Sequence, residues 1–377
     1  MSKVTLGEVA MEARESTKDP TGLPIVGLEH LVPGELRLSQ YSDASENTFT
    51  KLFHKGQVLF GRRRAYQKKA AVADFDGVCS GDITVIAAKP DRLLPDLLPF
   101  IISDDRFFDF AMEKSAGSLS PRVKWAQLAE YAFDLPDDME EQRRIASLLW
   151  AMERNRSAYK SLLTQMDELV KSQFVEMFGD PVKNTLSLPT MALSQATTDI
   201  ISGQCLNGDA GALQPGQKAV LKVSAVTYGY FKADEYKVLR NTDQIVKGVY
   251  PHKGDLLFSR ANTREYVGAT ALIEHDYPDL LLPDKLWKLV FIPEINPVFA
   301  KQFLSHPEVR KELSEMATGT SGSMYNISME KLKTLVIIVP KMEQQRAFVQ
   351  FVNQTDKSKY DSKVSLEGAW IGGDMCA

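Results

Sequence analysis

Cysteine is scarce in this sequence of 377 residues, which contains three. Cys79, Cys205 and Cys376 lie far apart and are odd in number. Neither a disulfide framework nor a Cys-x-x-Cys metal site can therefore be recognised from their spacing. We expect free thiols, and the sequence predicts neither a bound metal nor a cofactor.

Long apolar runs are also missing. No stretch approaches the roughly 20 apolar residues needed to cross a bilayer, and the Met1-Ser2-Lys3 start has no apolar segment of a signal peptide. The hydrophobic fraction of 44% and the charged fraction of 25% are typical of a globular protein. The length predicts two or three domains at about 150 residues each. We predict a cytoplasmic protein without membrane contacts.

Positive charge is in slight deficit, with a formal net charge of −4. Taken alone, this value argues against nucleic-acid binding, because nonspecific DNA affinity comes mostly from lysine and arginine. The average hides a local excess, since the segment 51–69 contains seven basic residues and no acidic one. This basic segment is the first candidate for a functional surface.

The chain contains an internal repeat. Residues 54–62 (HKGQVLFGR) recur as residues 252–260 (HKGDLLFSR), and residues 139–145 (MEEQRRI) recur as residues 342–348 (MEQQRAF), at offsets of 198 and 203. Two matches at nearly one offset predict a tandem duplication in which a recognition unit and a helix each occur twice. His54 and His252 lie beside Lys-Gly in both copies, so we interpret them as turn residues.

Each unit shows short strands and intervening helices. Residues 57–60 and 255–258 are predicted buried strands, and residues 81–86 and 286–292 are β-branched or aromatic runs of strand length. The helices predicted between them cover residues 97–114 and 297–316. The predicted fold class of each unit is therefore mixed α/β, or α+β.

The segment 139–178 has a different pattern, because its apolar residues keep a seven-residue repeat. This pattern predicts a coiled-coil helix of about 60 Å. Its seam is formed by Ile145, Leu148, Met152, Tyr159, Leu162, Met166 and Leu169.

The natural partner of this spacer helix is the second helix, which begins at Met342 and carries Phe348, Phe351 and Thr355 in the same register. Serines and glycines follow, so we predict a short helix over 341–362 and an irregular tail over 363–377. Met166, Leu169 and Phe174 then lack a partner in the chain, which leads to the hypothesis that another protein or a second copy covers them. Trp150, on the opposite face, is a further candidate for partner binding.

Three sets of residues carry a resemblance to a known family. They are Leu59–Ala70 (LFGRRRAYQKKA), Ala71–Gly77 (AVADFDG) and Cys79–Asp82 (CSGD); the Glu-Gln-Arg helix starts; and Glu176–Pro181 (EMFGDP) after the spacer helix. With these residues the sequence resembles the specificity subunits of type I restriction-modification systems, and the resemblance covers nearly the whole chain. In this family the C-terminal helix usually continues for several turns beyond the position of Tyr360.

The resemblance implies two target recognition domains, each reading half of a split site in double-stranded DNA. Antiparallel helices between them set the gap and dock two methyltransferase subunits, and restriction subunits join that core. The implied organisation is recognition domain 1 over 1–138, spacer helix over 139–178, recognition domain 2 over 179–340, and the short helix and tail defined above.

The candidate DNA contacts of the first domain follow its buried strand. A turn there can present guanidinium groups to phosphates or guanine edges, and an aromatic ring to sugar or base. The alternative is an ordinary solvated charge cluster. The residues are Arg62, Arg63, Arg64, Tyr66, Lys68 and Lys69, joined by Gly117, Ser118 and Arg122 from a small-residue loop before the last strand.

The second domain also has an arginine at the equivalent strand end. It has a matching small-residue loop, in which glycine allows close approach to a phosphate and the hydroxyl groups can donate hydrogen bonds to that phosphate. Asparagine at this end can pair with adenine. The alternative for each loop is a flexible turn that makes no DNA contact. The residues are Arg260, Asn262, Arg264, Gly319, Thr320, Ser321, Ser323 and Tyr325.

Two rival functions remain. A stand-alone DNA-modifying enzyme is opposed by missing motifs, since Asn296–Phe299 lacks the second proline and the tyrosine of an Asn-Pro-Pro-Tyr element. Glu235–Lys237 resembles a nuclease Glu-x-Lys but has no upstream Pro-Asp partner, and neither a glycine-rich dinucleotide loop nor a phosphate-binding Gly-x-x-x-x-Gly-Lys-Ser/Thr loop is present. A coiled-coil scaffold that binds proteins without DNA specificity is the other rival. The sequence favours a non-catalytic recognition subunit.

Overall fold

The structure, a computed structural model, describes residues 1–43, 48–116, 120–319 and 324–371, with the side chains of 360–371 left out. The chain divides into two units, Met1–Lys160 (unit 1) and Ser161–Ala377 (unit 2). The boundary falls inside one long helix, Met139–Phe178. Among the described helices, none is both long enough and apolar enough to span a membrane.

Unit 1 combines short strands with short helices, as predicted for an α+β domain. Its helices are α1 (Leu6–Val9), α2 (Leu98–Ser103), α3 (Asp105–Glu113), α4 (Trp125–Leu128) and the start of α5 (Met139–Phe178). Its strands are β1 (Ser2–Thr5), β2 (Ala10–Glu12), β3 (Ile25–Val26), β4 (Lys51–Phe53), β5 (Val58–Gly61), β6 (Ala70–Val72), β7 (Gly77–Cys79), β8 (Ile83–Ala88) and β9 (Ala132–Leu135).

Unit 2 contains the rest of α5 and a second set of similar elements. Its other helices are α6 (Leu193–Ala196), α7 (Pro297–Ser305), α8 (Pro307–Met316), α9 (Met329–Lys333) and α10 (Met342–Ile371). Its strands are β10 (Thr190–Ala192), β11 (Thr197–Ser202), β12 (Gly208–Asp209), β13 (Ala219–Leu221), β14 (Tyr236–Leu239), β15 (Leu256–Ser259), β16 (Ala261–Asn262), β17 (Thr270–Leu272), β18 (Leu280–Leu281), β19 (Leu286–Phe291), β20 (Tyr325–Asn326) and β21 (Val336–Ile338).

The sheet topology confirms that the units are similar. The main sheet has the order β2-β8-β5-β6 in unit 1 and β11-β19-β15-β17 in unit 2, with antiparallel neighbours throughout. A smaller sheet contains one parallel pair in each unit, β3 with β7 and β13 with β18. The terminal strands of the units also pair alike, β1 with β9 and β10 with β21.

The central strand of each main sheet is buried on both faces, because helices cover one face and the smaller sheet the other. In β5, Val58 and Phe60 pack in a cluster with Ile102 and Phe107, whereas Leu59 packs with residues of the smaller sheet, including Phe53. In unit 2, Leu256 and Phe258 share one cluster and Leu257 another. This double burial explains the nearly continuous apolar runs.

The two longer helices predicted inside the units are each divided. Asp104 ends α2 and caps α3, accepting a hydrogen bond from the Arg106 backbone N–H at 2.8 Å. In unit 2, His306 separates α7 from α8, and Pro307 opens α8, where its missing N–H costs nothing. The predictions over 97–114 and 297–316 located helical regions but missed these breaks.

The helix α5 does not bury the predicted heptad seam within either unit. Leu148 is 63% exposed and Leu169 is 51% exposed. Unit 1 instead buries Gln142 and Ala146, and unit 2 buries Val170, Phe174 and Phe178. The seam prediction is wrong in this respect because each unit packs its own core against the helix face that it reaches.

The helix α10 runs antiparallel to the part of α5 that lies in unit 2. The Phe174 and Phe348 rings are 5.6 Å apart, and Lys359 Nζ lies 2.7 Å from Asp167 Oδ1. Phe348 and Thr355 are buried, in agreement with the predicted register. The helix extends to Ile371, so the predicted end at 362 and the irregular tail from 363 are wrong for 363–371. Residues 372–377 lie outside the described part.

Candidate nucleic-acid interface

The predicted arginines of unit 1 lie where β5 ends and β8 begins. The Arg62 backbone N–H donates to the Asp82 carbonyl at 3.0 Å, and the Val123 N–H donates to the Arg62 carbonyl at 3.0 Å. Two hydrogen bonds therefore fix the backbone of Arg62 between the sheet and the segment that precedes α4. The sequence places this arginine outside the core because the apolar run stops at Gly61.

Asp82 is the centre of a charge cluster that the sequence analysis missed. Its carboxylate accepts hydrogen bonds from Arg122 Nε at 2.8 Å and from Arg63 Nη1 at 3.4 Å. The bond from Arg122 is the largest cause of a lowered Asp82 pKa, and the charges of Arg122, Arg63 and Arg62 lower it further. Three guanidinium groups thus lie near one carboxylate, and two of them are hydrogen-bonded to it, which leaves the cluster positive.

The cluster lines a shallow, open depression that contains Arg62, Asp82 and Arg122, with Ser80 and Gly81. Within the described residues, Arg62 Nε is buried without a hydrogen-bond partner. A buried donor of this kind normally has a partner. The depression combines open space with excess positive charge, as an interface for phosphates or guanine edges requires.

The turn after Arg63 holds Tyr66 outward. Arg64 and Lys68 have left-handed backbone conformations, with φ of 56° and 50°, on either side of a 3-10 turn over Ala65–Gln67. Such conformations are costly for residues other than glycine and persist where surrounding structure imposes them. Tyr66 is 55% exposed. The side chain predicted to pack on sugar or base is therefore accessible.

The two lysines of the basic segment have partners inside unit 1. Lys68 Nζ pairs with Asp105 Oδ1 at 2.5 Å, and Lys69 Nζ donates to the Leu28 carbonyl at 2.6 Å. Part of the predicted positive charge is thus compensated. DNA contact by Lys68 and Lys69 stays a prediction. Their positive charge is less available to DNA than the sequence indicated.

Both small-residue loops close in the same way. In unit 1, Ala116 and Arg122 exchange backbone hydrogen bonds of 3.0 and 2.9 Å, and in unit 2, Thr318 and Asn326 exchange two of 2.9 Å. A side chain at Gly319 would approach the Met324 carbonyl to 2.5 Å, which explains glycine there. The predicted contacts Gly117, Ser118, Thr320, Ser321 and Ser323 lie outside the described residues.

Arg260 repeats the backbone position of Arg62. Its N–H donates to the Lys285 carbonyl at 3.0 Å, and the Ile327 N–H donates to the Arg260 carbonyl at 2.8 Å. Its side chain is more restrained, because Nε donates to the Asp284 carbonyl at 2.9 Å and Nη2 lies 3.2 Å from the Asp284 carboxylate. The scaffold is shared, but the charge that each unit presents differs.

The other predicted residues of unit 2 lie at the same strand end. Arg264 is exposed, and its guanidinium lies 5.6 Å from the ring centre of Tyr325. Asn262 Nδ2 donates to Thr227 Oγ1 at 3.2 Å, and its Oδ1 accepts from the Thr263 N–H at 2.8 Å. Paired contact of Asn262 with adenine requires these two bonds to open.

The histidines of the repeat have the predicted turn role. The backbone N–H groups of His54 and His252 donate to the side chains of Gln57 and Asp255, each at 2.8 Å. In the nuclease-like tripeptide, Glu235 accepts from Ser224 Oγ at 2.7 Å. Among the described residues, no group of three or more histidine, cysteine or acidic side chains is arranged to hold a metal ion.

One of the residues predicted to contact a partner is corrected, and the others stay predictions. Phe174 is buried in unit 2 between Phe178, Phe299 and Phe348, so its assignment to a partner is wrong. The Trp150 indole N–H donates to the Asp96 carbonyl at 3.0 Å, and the Arg37 guanidinium lies over the ring, 4.4 Å from its centre. These contacts within unit 1 leave Trp150 partly buried, and partner binding by Trp150 stays a prediction. Met166 is partly buried, and Leu169 stays a candidate.

The repeated helix start contains a glutamine whose role the sequence analysis missed. Gln142 is buried; its Oε1 accepts from the Leu94 N–H at 2.8 Å, and its Nε2 donates to the carbonyls of Arg92 and Pro136 at 3.2 and 2.8 Å. Gln345 makes the same three bonds, with the Asn296 N–H and the carbonyls of Glu294 and Pro340. Each glutamine fastens a long helix to its unit.

We expect Gln345→Ala to lower the free energy of unfolding of unit 2 by about 2–4 kcal/mol, because buried backbone groups lose their partners. The control is Gln350→Ala on the same helix, where the side chain is exposed and the expected change is below about 0.5 kcal/mol. Urea denaturation of both variants measures the difference. Equal losses in the two variants would contradict the fastening role.

Comparison with known proteins relates the chain to a class of proteins. Residues 2–163 match the family model of the type I restriction modification DNA specificity domain, which covers less than half of the chain. It is 28% identical over 255 residues to the EcoKI specificity subunit of Escherichia coli K12, covering 64% of this chain and 54% of that protein. With the EcoDI specificity subunit of E. coli it is 25% identical over 186 residues, covering 46% and 40%.

The matches span about half the length of these relatives. A solved structure of a type I restriction-modification S subunit from M. genitalium aligns over 99% of this chain and 94% of its own, with a TM-score of 0.53 and 12% identity. At this identity the likeness concerns the fold. The resemblance predicted from the sequence is confirmed.

Proposed function

We propose that this chain is the DNA sequence-recognition subunit of a type I restriction-modification complex and reads a bipartite site. One observation carries the proposal: the two units place Arg62 and Arg260 at the same strand end, held by equivalent backbone bonds, beside loops that close alike. The specificity-domain match over residues 2–163 supports it. Each unit is assigned one half of the site.

The different side chains around the shared scaffold support two different half-sites. Unit 1 offers Arg62, Arg63 and Arg122 around Asp82, whereas unit 2 offers Arg264, Tyr325 and a restrained Arg260. Arginine suits phosphates and guanine edges. A single small domain covers few base pairs, so two readers supply the discrimination that one lacks.

We assign the chain no catalysis of its own and propose two methyltransferase subunits and restriction subunits as its partners, as the family resemblance implies. The exposed Leu169, on the part of α5 that lies in unit 2, is the residue assigned to methyltransferase docking or to self-association. Light scattering of the full chain tests self-association. A monodisperse monomer would contradict it.

The proposal is tested by incubating the full chain with a library of random DNA duplexes and sequencing the retained fraction. We expect two short sequence blocks separated by a fixed gap. Binding should weaken steeply with salt, with a slope of about −0.9 in log affinity against log salt for each neutralised phosphate. No enrichment together with salt-independent retention would favour the protein-binding scaffold and overturn the proposal.

A further inference from the structure

Unit 2 contains an exposed cluster of tyrosines, formed by Tyr228, Tyr230 and Tyr266. Tyr228 is 58% exposed and Tyr230 is 56% exposed. Their rings are stacked, with centroids 6.3 Å apart and an interplanar angle of 28°, and Tyr266 meets Tyr228 edge-on at 5.9 Å. Aromatic rings left in water at this density are unusual on a surface without a binding role.

The backbone of the loop is built to bring the two exposed rings together. Gly229 between them has φ of 82°, a conformation that favours glycine. The Lys232 N–H donates to the Ala225 carbonyl at 2.9 Å, which closes the loop. The ring pair is thus a product of the local fold.

The tyrosine cluster is continuous with the DNA interface proposed for unit 2. Thr227, the residue before Tyr228, accepts the hydrogen bond of Asn262 Nδ2 at 3.2 Å. The Tyr266 N–H donates to the Thr263 carbonyl at 3.0 Å. Asn262 and Thr263 lie directly before Arg264, so the rings and the predicted contacts share one surface.

Lys232 supplies positive charge beside the two exposed rings. The Lys232 ammonium lies 4.8 Å from the ring centre of Tyr228 and 5.5 Å from that of Tyr230. Glu265 is the acidic group beside Tyr266, where its charge is the largest cause of a raised Tyr266 pKa.

Unit 1 has other chemistry at the equivalent place. The 3-10 turn Val223–Ala225, which precedes the tyrosines, follows β13, just as the turn Leu28–His30 follows the equivalent strand β3. The turn in unit 1 also lies beside the arginine-bearing strand end, because the Leu28 carbonyl accepts from Lys69 Nζ at 2.6 Å. No tyrosine occurs over residues 27–40 there, and the next residue, Tyr41, packs its ring against Phe75 with centroids 5.1 Å apart. Positions that are equivalent in the two units but carry different side chains can give the two units different base preferences.

We infer that the tyrosine cluster reads thymine in the half-site bound by unit 2, through apolar contact of the Tyr228 and Tyr230 rings with thymine methyl groups in the major groove. The thymine methyl is the apolar group that base edges present there. Two exposed ring faces are its natural counterpart, and Lys232 adds attraction to the neighbouring backbone. This inference rests on the proposed function.

The test repeats the random-duplex selection with Tyr228→Ala/Tyr230→Ala. We expect one sequence block to disappear while the other block is retained, with roughly tenfold weaker binding to the duplex selected by the original chain. Tyr228→Phe/Tyr230→Phe keeps both rings and should keep both blocks. Because the rings are exposed, the alanine variant should unfold at nearly the original temperature, which thermal denaturation checks.

The thymine assignment is tested by replacing thymidine with deoxyuridine in the affected block, which removes only the methyl group. The original chain should bind the substituted duplex roughly fivefold more weakly, and the alanine variant should show no difference. Retention of both blocks by the alanine variant, or indifference of the original chain to deoxyuridine, overturns the inference. If the original chain selects no sequence at all, the proposed function fails instead.

Discussion

Replacing Arg63 and Arg122 together by alanine is expected to weaken binding to the selected duplex by at least about 30-fold, since each good base contact supplies about 1–3 kcal/mol. The variant also leaves the Asp82 carboxylate without its two hydrogen-bonded arginines, at 2.8 and 3.4 Å, so that Arg62 is the one remaining arginine of the cluster. The random-duplex selection should then lose the block read by unit 1 and retain the other.

The matched control is Arg143→Ala/Arg144→Ala, which removes the same charge from the exposed face of α5. Both of these arginines pair with glutamates one turn away. Their loss should leave both sequence blocks and the affinity within a factor of about two, because exposed pairs contribute little. Equal losses of affinity in the two double variants would mean that charge alone matters, and would contradict the assignment of the Asp82 cluster to sequence reading.

Phe174→Ala is the stability change with the largest expected effect. The ring is 2% exposed and contacts Phe178, Phe299 and Phe348, with ring centroids 5.1–5.8 Å away. Truncation should lower the free energy of unfolding of unit 2 by about 3–5 kcal/mol, because a large cavity is left in its core. Chemical denaturation, followed through the unfolding of unit 2, measures the loss.

Leu169→Ala on the same helix is the control, because this side chain is 51% exposed. It should change the free energy of unfolding by less than about 0.5 kcal/mol. If Phe174→Ala kept its stability while losing methyltransferase association, Phe174 would be a partner contact after all and the packing described for unit 2 would be refuted.

Much of the fold could be predicted because the apolar runs and the turn residues agree with each other. The strands at Val58–Gly61 and Leu256–Ser259 were predicted to within one residue, since each follows a Lys-Gly turn and is buried on both faces. The repeat made the duplication visible, because the elements that build the shared scaffold keep their residues. The same reasoning placed Arg62 and Arg260 at equivalent strand ends.

Other features depend on contacts that a single sequence does not specify. The seven-residue pattern of α5 predicted a seam through Leu148 and Leu169, but each unit buries the face that its own core reaches. Serine and glycine ended the predicted second helix at residue 362, although α10 continues to Ile371. Helix propensity is a weak guide to where a helix ends.

The sequence predicted where the candidate site lies, but it did not predict several of the contacts that its side chains make. Asp82 was missed because its role arises from arginines 19 and 40 residues away in the chain. The tyrosine cluster was missed because Tyr228 and Tyr266 meet only in the folded unit. The one local signal was Tyr228-Gly229-Tyr230, in which glycine allows two rings to stack.

The central claim, that two units read two separate half-sites, is tested most directly by mapping methylated adenines in the genome of cells that express this chain with the methyltransferase subunits proposed for it. The predicted result is one split, asymmetric motif, with two short blocks of different sequence and an unspecified gap of constant length. A single continuous motif, or adenine methylation without any shared sequence, would contradict it.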